Sequence, residues 1–169
     1  MAADSPIIKL LDDFVAAEKT IGGVPAWAEV GFKGEFRIVA PLLIDNGSTS
    51  VDLEVNAYPN IRELRFRIML RQTKCFARVD YVSDEQHVNP LGLGDNYPKG
   101  VFSGPHIHGW KDNSRFCTRY SLPDKLPVAT ILPQHLRQFD ATFRWFCGEY
   151  NIAQPPAGLV ALPSRTRLL

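Results

Sequence analysis

Glu63-Leu64-Arg65-Phe66-Arg67-Ile68-Met69-Leu70-Arg71 alternates charged with apolar side chains almost without a break. An alternation of period two belongs to a β-strand that is wet on one face and buried on the other. Working outward, residues 51–58 repeat it, with Val51, Leu53, Val55 and Ala57 set against Asp52, Glu54, Asn56 and Tyr58. Residues 36–44 and 74–82 give two more strands. The joints Asp45-Asn46-Gly47-Ser48, Pro59-Asn60 and Gln72-Thr73 are all rich in turn formers. An earlier strand at 26–32 and a later one at 115–122 extend the pattern to an antiparallel meander of about five or six strands.

Helices flank this meander in the sequence. Asp4 or Ser5 can cap a first helix with Pro6 at its opening position, where the missing amide costs nothing. Ile7, Ile8, Leu11, Phe14 and Val15 form its apolar stripe, and Gly22-Gly23 is expected to end it. A second helix is predicted over 132–150, where Leu132, Leu136, Phe139, Phe143, Phe146 and Tyr150 recur at helical spacing. The fold class expected is α+β, a two-layer arrangement in which both helices pack on one face of the meander. Residues 1–152 read as a single domain, and 153–169 as an extended or partly ordered C-terminal tail.

The composition excludes several classes of function. With 169 residues, 45% hydrophobic and 22% charged, the chain is long enough for one sizeable core and is neither disordered nor fibrous. Nineteen Lys plus Arg face eighteen Asp plus Glu, so no global field draws nucleic acid or an anionic membrane. No apolar run approaches the roughly 20 residues that cross a bilayer, so no membrane partner is expected. Cys75, Cys117 and Cys147 are odd in number and lack metal-knuckle or disulfide spacing. With no secretory leader at the N-terminus, they point to reduced thiols and a cytoplasmic location.

Residues 83–105 carry no sustained period, and a segment of that length inside a compact domain is often functional. Three of the four histidines, His87, His106 and His108, lie in or beside it. If 106–108 is extended, His106 and His108 project from one face, roughly 6 to 7 Å apart at Cα. Three chemistries fit. One transition-metal ion could take His87, His106 and His108 with the carboxylate of Asp112 or Asp95. Metal-free acid and base catalysis would use two imidazoles, with Arg115 or Arg119 holding developing negative charge, at a phosphoester such as RNA. A purely structural role would pin the loop through backbone carbonyls, with Asn89 capping its own turn.

The basic residues offer a different kind of function. Arg62, Arg65, Arg67, Arg71, Lys74 and Arg78 face one acid, Glu63, within a single hairpin. A nucleic-acid or protein partner could dock there, with Tyr58, Phe76 or Trp110 as apolar platforms. The alternative is that Arg65 and Arg67 meet Asp52, Glu54 and Asp80 across the sheet in ion pairs. Cys117 suggests a nucleophile, because the order helix, meander, His-containing loop, Cys, helix is also that of ubiquitin-conjugating folds; a reactive thiol there would need exposure and a depressed pKa.

Two resemblances accompany these residues. Gly100 stands six residues before His106, as in the first metal motif of cupin barrels, but Asp112 or Asn113 occupies the place of the expected Glu. His87-x-Asn89-Pro90, Gly104-Pro105-His106-Ile107-His108-x-Trp110-x-Asp112-Asn113 and Phe143-Arg144-Trp145-Phe146-Cys147-Gly148-Glu149 together resemble a family of small uncharacterised bacterial proteins, some carried on mobile elements. The similarity runs from about Phe14 to Ile152. It implies bacterial origin and a single soluble domain, carries no activity, and links the histidine loop to the last helix. The expectation is a His-centred polar site, phosphoester hydrolase or transferase in character, with no cofactor or one transition-metal ion. The alternative is a non-catalytic protein that engages RNA or a protein through the basic hairpin 62–78.

Overall fold

The turn Asp45-Asn46 has positive φ at both residues, 50° and 61°. That is the geometry of a two-residue hairpin turn whose twist matches its flanking strands, and it sets Ile44 opposite Gly47. From this hairpin a sheet grows in both directions. The computed structural model describes residues 5–31, 34–59 and 64–163. The Asp4 cap, the start of the turn at Asn60, Arg62, Glu63 and the end of the C-terminal tail lie outside the described residues.

In chain order the elements are helix α1 (Pro6–Ala16) and strands β1 (Thr20–Ile21), β2 (Ala28–Val30), β3 (Glu35–Ile44), β4 (Gly47–Tyr58), β5 (Arg65–Arg71) and β6 (Cys75–Tyr81). There follow β7 (Gln86–Val88), β8 (Val101–Ser103), β9 (His106–His108), helix α2 (Trp110–Asn113), β10 (Thr130–Ile131), α3 (Phe139–Glu149) and α4 (Ala157–Val160). The main sheet has eight strands in the order β1-β3-β4-β5-β6-β9-β10, with β2 also on β3, and every pairing is antiparallel. The fold is α+β as expected, with a larger sheet than the meander alone. β7 and β8 form a separate two-stranded arm.

The alternation read from β5 holds in three dimensions. Phe66, Ile68 and Leu70 are buried, as are Val51, Leu53, Val55 and Ala57 on β4. Against this face lie Phe14 of α1 and Phe139, Phe143 and Phe146 of α3. Phe139 meets Phe66 edge to face at 5.1 Å, and Phe14 meets Phe76 the same way at 6.0 Å. Each such side chain, fully buried, contributes about 1.5–3 kcal/mol by leaving water.

Both long helices have one boundary that differs from the sequence reading. Helix α1 stops at Ala16, not at Gly22-Gly23, because the buried Lys19 ammonium donates to the carbonyls of Phe14, Val15 and Ala17 and finishes the helix there. Ser5 stands at the N-cap, but its hydroxyl donates to the carbonyls of Thr118 and Arg119, tying the helix start to a distant loop. The helix predicted over 132–150 begins only at Phe139. Pro133 lies in its first turn, where 130–131 continues the sheet and Gln134–Leu136 forms a 3-10 turn.

The strand predicted over 115–122 is absent among the described residues. Ser114–Phe116 is a 3-10 turn and the chain then runs irregularly to β10. Beyond α3, Leu159 is buried and the Trp27 indole donates to the Ala161 carbonyl, so the chain to residue 163 lies against the body. No helix among the described residues is long and apolar enough to cross a membrane.

Candidate functional site

Strand register carries the polar face of the sheet toward one end. Arg37, Asn56, Arg67, Asp80 and His106 are successive partners across β3, β4, β5, β6 and β9, and Arg78 is the partner of His108. Their neighbours Val79 and Ile107 turn to the core on the opposite face. His106 and His108 therefore project together, as the His-x-His spacing predicts for extended chain. The β7–β8 arm folds over this face and brings His87 onto it. Gly104, at φ 97°, reverses the chain between β8 and β9, a backbone geometry that favours glycine.

The three imidazoles converge. Ring centres are 5.0 Å apart for His106 and His108, 4.9 Å for His87 and His108, and 5.5 Å for His87 and His106. One nitrogen from each ring lies within 4.8 Å of the other two. His106 and His108 are buried and His87 is half-buried.

Each ring is fixed by a backbone carbonyl. His106 Nδ1 lies 2.8 Å from the Gly104 carbonyl, His108 Nδ1 3.0 Å from that of Val128, and His87 Nε2 3.0 Å from that of Pro127. A carbonyl only accepts, so each of these nitrogens carries the proton and the other nitrogen of a neutral ring presents a lone pair. Burial pushes His108 below the ordinary imidazole range, with Asp80 opposing, and burial does the same to His87 against its bond to Pro127. Both are neutral at pH 7.

Two carboxylates and two guanidiniums border the trio. Arg67 Nε donates to Asp80 Oδ1 at 2.6 Å, and Arg78 Nε donates to Asp80 Oδ2 at 2.6 Å. Arg67 also grips both oxygens of Glu85, at 2.9 and 2.7 Å. Burial disfavours the charge on Asp80, but the adjacent guanidiniums of Arg78 and Arg67 outweigh it and hold the carboxyl well below its usual range. Asp80 Oδ2 lies 3.5 Å from His106 Nε2 and 3.4 Å from His108 Nε2. Arg78 Nη2 is 3.2 Å from His108 Nε2 and donates to it.

Asp80, Glu85 and His106 also place three donor atoms within 4.8 Å. There both carboxylates are already engaged by guanidiniums, whereas the histidine trio offers ring lone pairs.

Two buried asparagines support the trio from behind. Asn113 accepts from the Val128 amide and donates to the Val128 carbonyl, both at 2.9 Å, and Asn89 does the same for Ala129 at 2.7 and 2.9 Å. They clamp the irregular segment whose oxygens receive His87 and His108. Asn89 thus holds a distant backbone instead of capping its own turn. Such second partners set the orientation and tautomer of a ligating imidazole.

No protein-family model, curated protein or solved structure matches this chain. Its chemistry is read from these atoms.

Other residues singled out in the sequence lie elsewhere. Asp112 accepts from the Tyr97 hydroxyl and, through its carbonyl, from Arg115 Nε, and is outside the groups whose donor atoms converge among the described residues. Asp95 pairs with Lys99 on the surface. Arg115 and Arg119 are exposed and lie over the rings of their neighbours Phe116 and Tyr120, because the turn at 114–116 replaces the strand that would have aimed them at the sheet. The arginine that touches the histidines is Arg78.

Trp110 is 4% exposed, packs edge to face on Phe76, and donates its indole N–H to Asp12. It is a core residue and offers no platform to a partner; Phe76 is equally buried. On the basic hairpin, Arg65 pairs with Asp84, Arg67 with Asp80 and Glu85, Lys74 with Asp124, and Arg71 lies 3.9 Å from Glu54. Of the cross-sheet pairs expected for Arg65 and Arg67, Arg67 with Asp80 forms, whereas Arg65 turns to Asp84 beyond β6. Burial pushes the Cys117 thiol up, which removes the basis for a thiolate nucleophile.

Proposed function

We propose that this protein is a metal-dependent hydrolytic enzyme in which His87, His106 and His108 hold one divalent transition-metal ion. The carrying observation is the spacing of the three rings. An ion about 2.1 Å from one nitrogen of each imidazole sets the ring centres about 5 Å apart at the tetrahedral angle. The observed separations are 4.9, 5.0 and 5.5 Å. The nitrogens that carbonyls leave for a metal are His87 Nδ1, His106 Nε2 and His108 Nε2.

Three imidazole nitrogens suit zinc and its neighbours, and such a centre would lower the pKa of bound water toward neutrality. The chain's own residues do the rest. Asp80 holds Arg67 and Arg78 in place, and Arg78 stands beside the trio where negative charge would gather. For a metal to bind through His108 Nε2, Arg78 must give up that nitrogen while keeping Asp80.

The test is metal titration of the full-length, untagged chain. One equivalent of zinc or cobalt is expected, with a tetrahedral cobalt absorption that His106→Ala and His108→Ala abolish while the folded circular-dichroism signal persists. No binding at all would end this reading.

A second reading is metal-free cleavage of a phosphoester by paired imidazoles. It is favoured by His87, His108 and Arg78 lining one cavity. Activity that survives exhaustive chelation would select it over the metal.

A further inference from the structure

Beside the trio lies a cavity of about 450 Å³ whose walls include Cys75, Arg78, His87, His108, Lys125 and Pro127. Its size falls in the range of small-molecule sites, roughly 300–1,000 Å³. The charge on its walls is positive in surplus. Arg78 keeps its side chain 27% exposed after satisfying Asp80. Lys125 is exposed and makes no hydrogen bond or ion pair with any described residue. Asp124, also on the wall, is paired with Lys74, which additionally donates to the Leu122 carbonyl. Cys75 adds no charge, since burial pushes its thiol up to about 11.

We propose that this cavity recognises the phosphate group of a small phosphate ester, held between Arg78 and Lys125 with its ester bond turned toward the histidines. A guanidinium beside an ammonium matches a phosphate in charge and in donor geometry. The pairing also gives Arg78 a partner when it leaves His108. A nucleic-acid strand fits less well, because it needs a continuous basic track and stacking platforms. Here Arg65, Arg67, Arg71 and Lys74 of the hairpin are already paired, and Phe76 and Trp110 are buried.

The proposal rests on the metal reading for its chemistry, though not for recognition. In hydrolysis the water oxygen forms the new P–O bond and the bond from phosphorus to the ester oxygen breaks. One water proton passes to the departing alcohol oxygen and the other stays on the phosphate.

Calorimetric titration of inorganic phosphate and of phenyl phosphate into the full chain, with zinc and with chelator, tests this. Binding in the millimolar range or tighter is expected, and Lys125→Glu, on the surface, should weaken it about tenfold by reversing one contacting charge. Arg78→Lys should weaken it further and serves as the second variant, since it keeps a donor for Asp80. Phosphate binding that is absent, or unchanged by Lys125→Glu, overturns the proposal. Zinc titration without phosphate reports on the trio separately. Zinc bound with no phosphate site sinks only the substrate class, whereas a Lys125-dependent phosphate site with no zinc sinks only the metal.

Discussion

Asp80 decides the polarity of the whole site. It is fully buried and is the shared acceptor of Arg67 and Arg78. Hydrogen bonds to a charged group are each worth about 1.5–3 kcal/mol, but Arg67 and Arg78 keep 42% and 27% of their side chains exposed, so water compensates them in part once the carboxylate is gone. Asp80→Ala is therefore expected to lose about 1–3 kcal/mol, read as a lowered urea midpoint with an unchanged slope.

Cys147 gives a pH prediction of different origin. Burial pushes its thiol from 9 up to about 12. A thiol that resists ionisation in the folded chain contributes stability that is intact below pH 9 and is lost as pH rises toward 12. Urea midpoints measured between pH 8 and pH 11 (about the span of that loss) should fall in the native chain and fall less steeply in Cys147→Ala. Equal slopes would refute the assignment.

Among the elements, the irregular segment before β10 shapes the site more than any strand does. Asn89 and Asn113 treat Val128 and Ala129 as a neighbouring strand would, bonding both amide and carbonyl of each. Asn113→Ala should free the Val128 carbonyl to wander, costing about 1–3 kcal/mol for the unpaired amide. It should also loosen zinc about 10–100-fold. Melting and metal titration check the two effects independently, and a loss of stability with metal affinity untouched would separate the clamp from the trio.

This is also where sequence reading meets its limit. The alternation in β5 and the His-x-His pair were legible, because period-two geometry is local and needs no knowledge of partners. Asp80 and Arg78 looked like outward-facing charges on a wet strand. Asp80 is covered because β9 with its two histidines pairs alongside and the β7–β8 arm folds over that face, contacts that the strand's own alternation does not show. Trp110 and Arg115 misled for the opposite reason: a motif rich in polar residues ends in a one-turn helix that points the Trp110 indole to the core, and the 3-10 turn after it leaves the Arg115 guanidinium in water. That backbone carbonyls would hold the imidazoles was foreseeable from the need to satisfy buried polar groups, but which carbonyls do so leaves no mark on the sequence.

At the level of the whole molecule, the two ends of the described chain are stitched together. Lys19 donates its amide to the Asn151 carbonyl and accepts from the Ala153 amide, and the Asn151 side chain donates to the Ala16 carbonyl. Tyr150, Ile152 and Leu159 are buried beside them. A chain cut after Glu149 loses three buried apolar side chains, each about 1.5–3 kcal/mol, together with this stitching. It is expected to lose its cooperative unfolding transition. A truncated chain that still melts as sharply as the intact one would show the segment to be dispensable.

Because the atoms that aim the three rings are main-chain oxygens, no side chain at residues 104, 127 and 128 is chosen for the imidazole it receives: Gly104 answers to its positive φ and Val128 to the core, while Pro127 is free to drift as long as the peptide path is kept. Relatives of this protein would then share the ring positions while differing at a place that steers one of them. A search for kinship by side-chain identity would pass over that machinery, and only superposed backbones would reveal it.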